Sequence, residues 1–361
     1  MAYTAIDDPS AHFHIQLWTG DDNADRLITN DANAGDFRPD LLILKNRSSV
    51  SSHGTFDSSR LVSGESTVIL RTNGDGAEEG KADRFGGFET DGFTVTGNDV
   101  DTNASGDLFV AWQWKANGGS LTTNDASATS VGTIDSVYQA NTTAGFSIVT
   151  YTGVAEADTA VAHGLGAVPS LIIVKDRDAT KNWTIYHHSI GNDRSMKLNT
   201  TDAQTGSTDH WNNATPTSTV FYLGNYSHVN RTDAFIAYCF KSIQGYSKFG
   251  GYTGNGDADG AFNYTGFKPA LIIIKCTSTA STDWVMYDNK RDINPVGSDS
   301  GTLYPNLTDG DSSAGGIDFL SNGFKSRSTN GYHNGDARTY IYMAFAEQPF
   351  VTSGGVPCTA R

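Results

Sequence analysis

The chain has 361 residues, room for two to three domains of ordinary size. Its formal charge of −15, with no basic patch to offset it, excludes the phosphate-binding surface that nucleic acid needs. Gly, Ser, Thr, Asn and Asp are abundant, only six residues are Glu, and no window carries apolar residues at helical spacing over three turns, so an all-β fold is predicted.

Residues 1–12 read as an extended arm, because Asp7-Asp8-Pro9 forbids a continuous helix and apolar content is low. From residue 13 the chain repeats a pattern three times. Each copy has a Thr-Gly turn after a strand (Leu17-Trp-Thr-Gly20, Thr150-Tyr-Thr-Gly153, Gly251-Tyr-Thr-Gly254). Next comes an apolar run opened by proline: Pro39-Asp-Leu-Leu-Ile-Leu-Lys45, Pro169-Ser-Leu-Ile-Ile-Val-Lys175 and Pro269-Ala-Leu-Ile-Ile-Ile-Lys275. An aromatic strand closes the copy: Phe109-Val-Ala-Trp-Gln-Trp-Lys115, Phe235-Ile-Ala-Tyr-Cys-Phe-Lys241 and Tyr340-Ile-Tyr-Met-Ala-Phe-Ala346. Self-similarity at this period marks an array.

The repeats are placed at 13–117, 146–242 and 246–350, with a linker at 118–145 rich in Ser, Thr, Asn and Ala, and a tail at 351–361. Each repeat is predicted to be an antiparallel β-sandwich of jelly-roll or concanavalin-like type. The closing strands support this: Ile236, Tyr238 and Phe240 oppose Phe235, Ala237 and Cys239, and Ile341, Met343 and Phe345 oppose Tyr340, Tyr342 and Ala344. A strand apolar on both faces must be covered by a second sheet on one side and a neighbour on the other. Repeats two and three, separated by three residues, are expected to share that interface.

Cys239 and Cys276 read as small core residues, and no disulfide framework is expected. Neither a signal peptide nor a membrane span is read from the chain. His163-Gly-Leu-Gly166 reads as a tight turn, and His187-His188, on a strand, would point to opposite faces and share no metal. Asn255-Gly-Asp257-Ala-Asp259-Gly260 matches the first half of a calcium loop but lacks the acid at position twelve, which is Gly266. Structural calcium at Asn255, Asp257 and Asp259 is one reading, an Asp-rich turn the other. No cofactor is otherwise called for, and no catalytic residue is assigned: nucleophile elbow, zinc-peptidase and P-loop signatures are missing. Trp211, flanked by amides in His210-Trp-Asn-Asn213, is the candidate glycan contact.

Several stretches resemble one family. Asn141-Thr-Thr-Ala-Gly-Phe-Ser-Ile-Val-Thr-Tyr-Thr-Gly153 and His163-Gly-Leu-Gly-Ala-Val-Pro169 are similar to repeat proteins encoded by tailed bacteriophages, many of them marine. So are Gly245-Tyr-Ser-Lys-Phe-Gly250, Asp318-Phe-Leu-Ser-Asn-Gly-Phe-Lys325 and Tyr342-Met-Ala-Phe-Ala-Glu347. The resemblance covers about residues 120–361; repeat one is a looser copy. It implies concanavalin-like sandwiches in a non-enzymatic virion component on the particle surface, either tail-associated or a capsid decoration protein. Expected partners are other virion proteins and copies of the same chain, as a trimer, with the arm at 1–12 docking to the particle. Neither nucleic-acid binding nor membrane insertion is expected. The alternative is a lectin-like array that binds host surface glycan, and a third reading is a polysaccharide depolymerase.

Overall fold

The computed structural model describes residues 2–31, 37–60, 68–81, 83–97, 99–291, 301–313 and 316–358; the last three residues of the tail lie outside them. Repeat one comprises β1 (Phe13–Thr19), β2 (Arg26–Ile28), β3 (Leu41–Asn46), β4 (Gly54–Asp57), β5 (Val68–Arg71), β6 (Glu79–Gly80), β7 (Phe85–Glu89), β8 (Gly92–Val95) and β9 (Leu108–Trp114). Before the second copy come β10 (Thr122–Asn124), the short α1 (Ala126–Thr129) and β11 (Ser136–Asn141). Repeat two then supplies β12 (Phe146–Thr152), β13 (Thr159–Ala162), β14 (Leu171–Asp176), β15 (Thr184–His187), β16 (Arg194–Lys197), β17 (Thr205–Gly206), β18 (Val220–Leu223) and β19 (Ala234–Phe240). Repeat three adds β20 (Ser247–Thr253), β21 (Phe262–Tyr264), β22 (Phe267–Cys276), β23 (Val285–Asp288), β24 (Ile317–Leu320), β25 (Gly323–Ser326) and β26 (Thr339–Pro349).

Three large sheets share one strand order. The first strand of each repeat pairs with the last, the last with the proline-led strand, and that with the next: β1-β9-β3-β4, β12-β19-β14-β15 and β20-β26-β22-β23. Every pair is antiparallel. A small sheet covers one face of each: β2-β8-β7, β13-β18 and β21-β25-β24. Period-two alternation places the side chains. Leu42, Leu44, Phe109 and Ala111 face the small sheet of repeat one, whereas Leu41, Val110, Trp112 and Trp114 face the other way.

Those other faces meet. One core cluster gathers Trp114, Phe240 and Phe345 with their strand neighbours from all three repeats. These three residues occupy equivalent positions on β9, β19 and β26, and their ring centroids lie 5.5–6.3 Å apart. The sandwiches therefore close a ring around a pseudo-threefold axis, with an apolar cavity of about 50 Å³ beside the aromatic triad. Repeats two and three share an interface as expected, and repeat one joins it equally, because its proline-led and closing strands carry the same two-faced apolar pattern.

The junctions repeat as well. At each, a backbone carbonyl of one repeat accepts from both a lysine and a main-chain amide of the next: Thr308 from Lys45 and Ser51, Asp75 from Lys175 and Lys181, Thr201 from Lys275 and Thr282. The ring nitrogens of Trp183 and Trp284 donate to the Arg71 and Lys197 carbonyls, and His53 takes this place toward Tyr304. These bonds use donors and acceptors that an isolated sandwich would leave to water.

The supposed linker is folded. β11 pairs with β12, and β10 with β11, so residues 118–145 extend the large sheet of repeat two. The arm is also held by its own chain: Tyr3 donates to Gly266, Thr4 donates to Gln244, and Ile6 is buried in the central core. Although the apolar content of the arm is low, Ile6 packs with core residues of the repeats.

Candidate functional site

The residues singled out in the sequence are mostly structural. Trp211 is 1 % exposed; its indole nitrogen donates to the Arg194 carbonyl at 3.1 Å and its ring sits edge-on to Tyr186. A buried indole offers no face to a sugar, so the glycan contact expected there is corrected to a loop staple. In the Asn255 loop, Asn255 and Asp257 accept from amides two residues on, while Asp259 is claimed by Lys325 and Arg327, each at 2.7 Å. Two cations on one carboxylate neutralise the charge a calcium ion would require, and the loop is an Asp-rich turn.

His163 accepts the Leu165 amide at Nδ1 and bonds the Thr217 carbonyl through Nε2, which fixes the neutral ring inside the turn. Burial pushes its pKa down to about 4. His187 and His188 do not diverge as a continuous strand would make them. β15 ends at His187, and the rings stack at 5.1 Å with each Nε2 on a carbonyl, of Tyr342 and Phe249. Burial pushes Lys45, Lys175 and Lys275 down to about 8, a value that would suit a catalytic amine. All three are fully enclosed with their ammoniums on main-chain carbonyls, so they act as braces between repeats.

What the molecule does offer is an aromatic edge. β21 is the outer strand of its small sheet, and alternation puts Phe262 and Tyr264 on one side of it, 46 % and 48 % exposed. Gly323 lies across the ladder from Tyr264, and a Cβ there would stand 2.7 Å from the Phe262 ring, so the glycine leaves room for that ring over the neighbouring strand. Lys248 lies 5.1 Å from the Tyr264 ring centre and donates to the Tyr264 carbonyl; the Tyr264 hydroxyl meets that of Tyr3 at 3.0 Å. In repeat one the corresponding edge, β2, exposes Leu27. Repeat two differs: Thr133 and Ile134 cover β13 by bonding the Ala160 carbonyl. The Phe-x-Tyr alternation at 262–264 was the available sequence signal, and it is too short to distinguish an exposed edge from a core strand.

A single family pattern matches residues 8–349, from within the N-terminal arm to the end of β26. The chain belongs to the DUF7483 family, a domain of unknown function. That one DUF7483 domain spans all three sandwiches agrees with the ring, rather than the single repeat, being the unit: the central core exists only when all three are present. Among curated proteins none matches the chain. The aromatic edge at Phe262 and Tyr264 lies within the DUF7483 span, whereas Tyr3, which braces it, lies outside.

Proposed function

We propose that this DUF7483 protein is a non-enzymatic structural component displayed on the surface of a tailed-bacteriophage particle, as a tail-associated or capsid decoration protein. The observation that carries the reading is the ring. Each large sheet spends one face on its small sheet and the other on the shared core, so the small sheets and loops face outward from a rigid centre. Such a body is built to present surface, and its charge of −15 keeps it from associating with itself indiscriminately. The trimeric form expected of three chains is mirrored inside one.

Cryo-electron microscopy of intact particles tests this. Triangular density of this size on the capsid lattice or projecting from the tail is the expected result, and absence of the chain from purified particles would sink the reading.

The exposed aromatic edge favours one second reading, contact with host surface glycan. Exposed rings beside Asn263 and Lys248 suit stacking on sugar. On a glycan array, Phe262→Ala with Tyr264→Ala should reduce any signal about tenfold or more; unchanged binding would place the contact elsewhere.

A further inference from the structure

The pseudo-threefold ring has one slot filled at one junction and open at another. Phe146, Ser147 and Ile148 of β12 pair on one side with β19 and on the other with Asn141, Ala140 and Gln139 of β11. The Gln139 carboxamide nitrogen then crosses to repeat one and donates to both Ser58 and Ser59, each at 2.7 Å. Phe13, His14 and Ile15 of β1 are the equivalents of Phe146, Ser147 and Ile148, since Phe13 faces Trp114 as Phe146 faces Phe240. Asn289 and Lys290 are the equivalents of Ser58 and Ser59: Leu271 pairs with Asp288 as Leu41 pairs with Asp57, and Asn289 bonds the Ala270 carbonyl as Ser58 bonds that of Asp40.

At this junction of repeats one and three, no strand among the described residues lies where β11 would. Among the described residues β1 pairs only with β9, and Phe13, His14, Ile15, Asn289 and Lys290 instead line a groove of about 580 Å³. The Asn289 carboxamide oxygen, at the site of the Ser58 acceptor, is buried without a partner among the described residues. An open strand edge and an orphaned acceptor, both answered in the filled slot, together define what is missing.

Charge says what kind of side chain would fit. Asp7 and Asp8, whose carboxylates accept from Ser353 and Ser10, line the groove without a cation partner among the described residues, whereas its Lys290 is held by Asp31 at 3.1 Å and its Glu347 by Lys268 at 2.8 Å. A donor that is also positive would satisfy the Asn289 oxygen and supply the acids with a counter-charge. We propose that the groove along β1 accepts an extended segment of another protein by strand addition, with Lys or Arg at the position Gln139 holds in β11. A second copy of this acidic chain is the poorer occupant, because it brings fifteen net negative charges to an acidic groove. Main-chain ladder bonds would give affinity and the basic side chain specificity. The inference stands whether or not the chain is a particle component.

The probe is a fluorescein-labelled hexapeptide of the β11 sequence 136–141 carrying Gln139→Lys, titrated into the full chain at low salt, with a Gln139→Glu peptide as control. Saturable binding of the Lys peptide is expected, weakened about tenfold by the Glu control, the weight of one charge-assisted hydrogen bond. Hydrogen exchange across residues 13–15 should slow on binding, and Asp8→Lys in the protein should weaken the Lys peptide. No saturable binding, equal binding of the two peptides, or binding that leaves exchange at β1 unchanged would overturn the proposal. Dimerisation seen by sedimentation and abolished by Asp8→Lys would also overturn it, giving the groove to a second copy.

Discussion

Asp57→Ala is expected to destabilise the chain by about 3–5 kcal/mol, the cost of leaving a buried charge unpaired. Asp57 and Arg60 are both fully enclosed, and the Asp57 carboxylate also accepts the Tyr238 hydroxyl from the closing strand of repeat two at 2.7 Å. Removing it strands the guanidinium, left with a Glu78 that Arg177 already engages, and the hydroxyl as well. Junction three-to-one has the same design, with Asp288, Arg291 and the Trp112 indole. Junction two-to-three does not: His187 stands where the aspartates are, Ile190 where the arginines are, and Met343 where the donors are. A thioether offers no proton, so no carboxylate is needed to receive one. Asp57→His, Arg60→Ile and Tyr238→Met together should therefore cost less than Asp57→Ala alone, since an uncharged set, its imidazole bonding a main-chain carbonyl as His187 bonds that of Tyr342, replaces a buried ion pair without leaving a charge unpaired. Urea unfolding with tryptophan fluorescence checks the order; a triple variant weaker than the single would refute the equivalence of the junctions.

Acid should unfold the protein well above the pH at which carboxylates titrate. Burial pushes His163 and His333 down to about 4 and His187 to about 3, each from an ordinary value near 6.5. Because the folded values lie below the unfolded one, the unfolded chain binds more protons throughout the window between. The stability these rings confer as neutral groups is complete above pH ~6.5 and is lost as pH falls toward 4. Each contributes a slope of about 1.4 kcal/mol per pH unit, and three together about 4. Against a total of about 5–15 kcal/mol for a folded domain, that predicts cooperative loss of structure near pH 5. Depressed carboxylates such as Glu78, held by Arg177 and Arg60 against the cost of burial, act in the same direction but at lower pH. Uptake of at least about three protons on denaturant unfolding at pH 5.5 would agree, and a flat stability profile from pH 7 to 5 would contradict it.

Much of this architecture was legible in the sequence because β-structure writes its burial into alternation. The proline-led runs and closing strands alternate two apolar sets, and the structure assigns one set to each of two cores. Asp and Gly in place of helix formers determined the all-β class. Tertiary structure alone decided what covers each face: a pattern states that a surface is apolar, never which partner meets it, so the closed ring could not be read from any one copy. Residues 118–145 passed for a linker because an added strand such as β11 takes its hydrogen bonds from β12 and needs few apolar side chains of its own. Trp211 passed for a surface aromatic because its neighbours are polar in sequence, while in space it rests on Tyr186 and the Arg194 carbonyl. Local chemistry thus determined strands, turns and their two-sidedness, and long-range packing determined which polar residues became braces between repeats and which edge was left open.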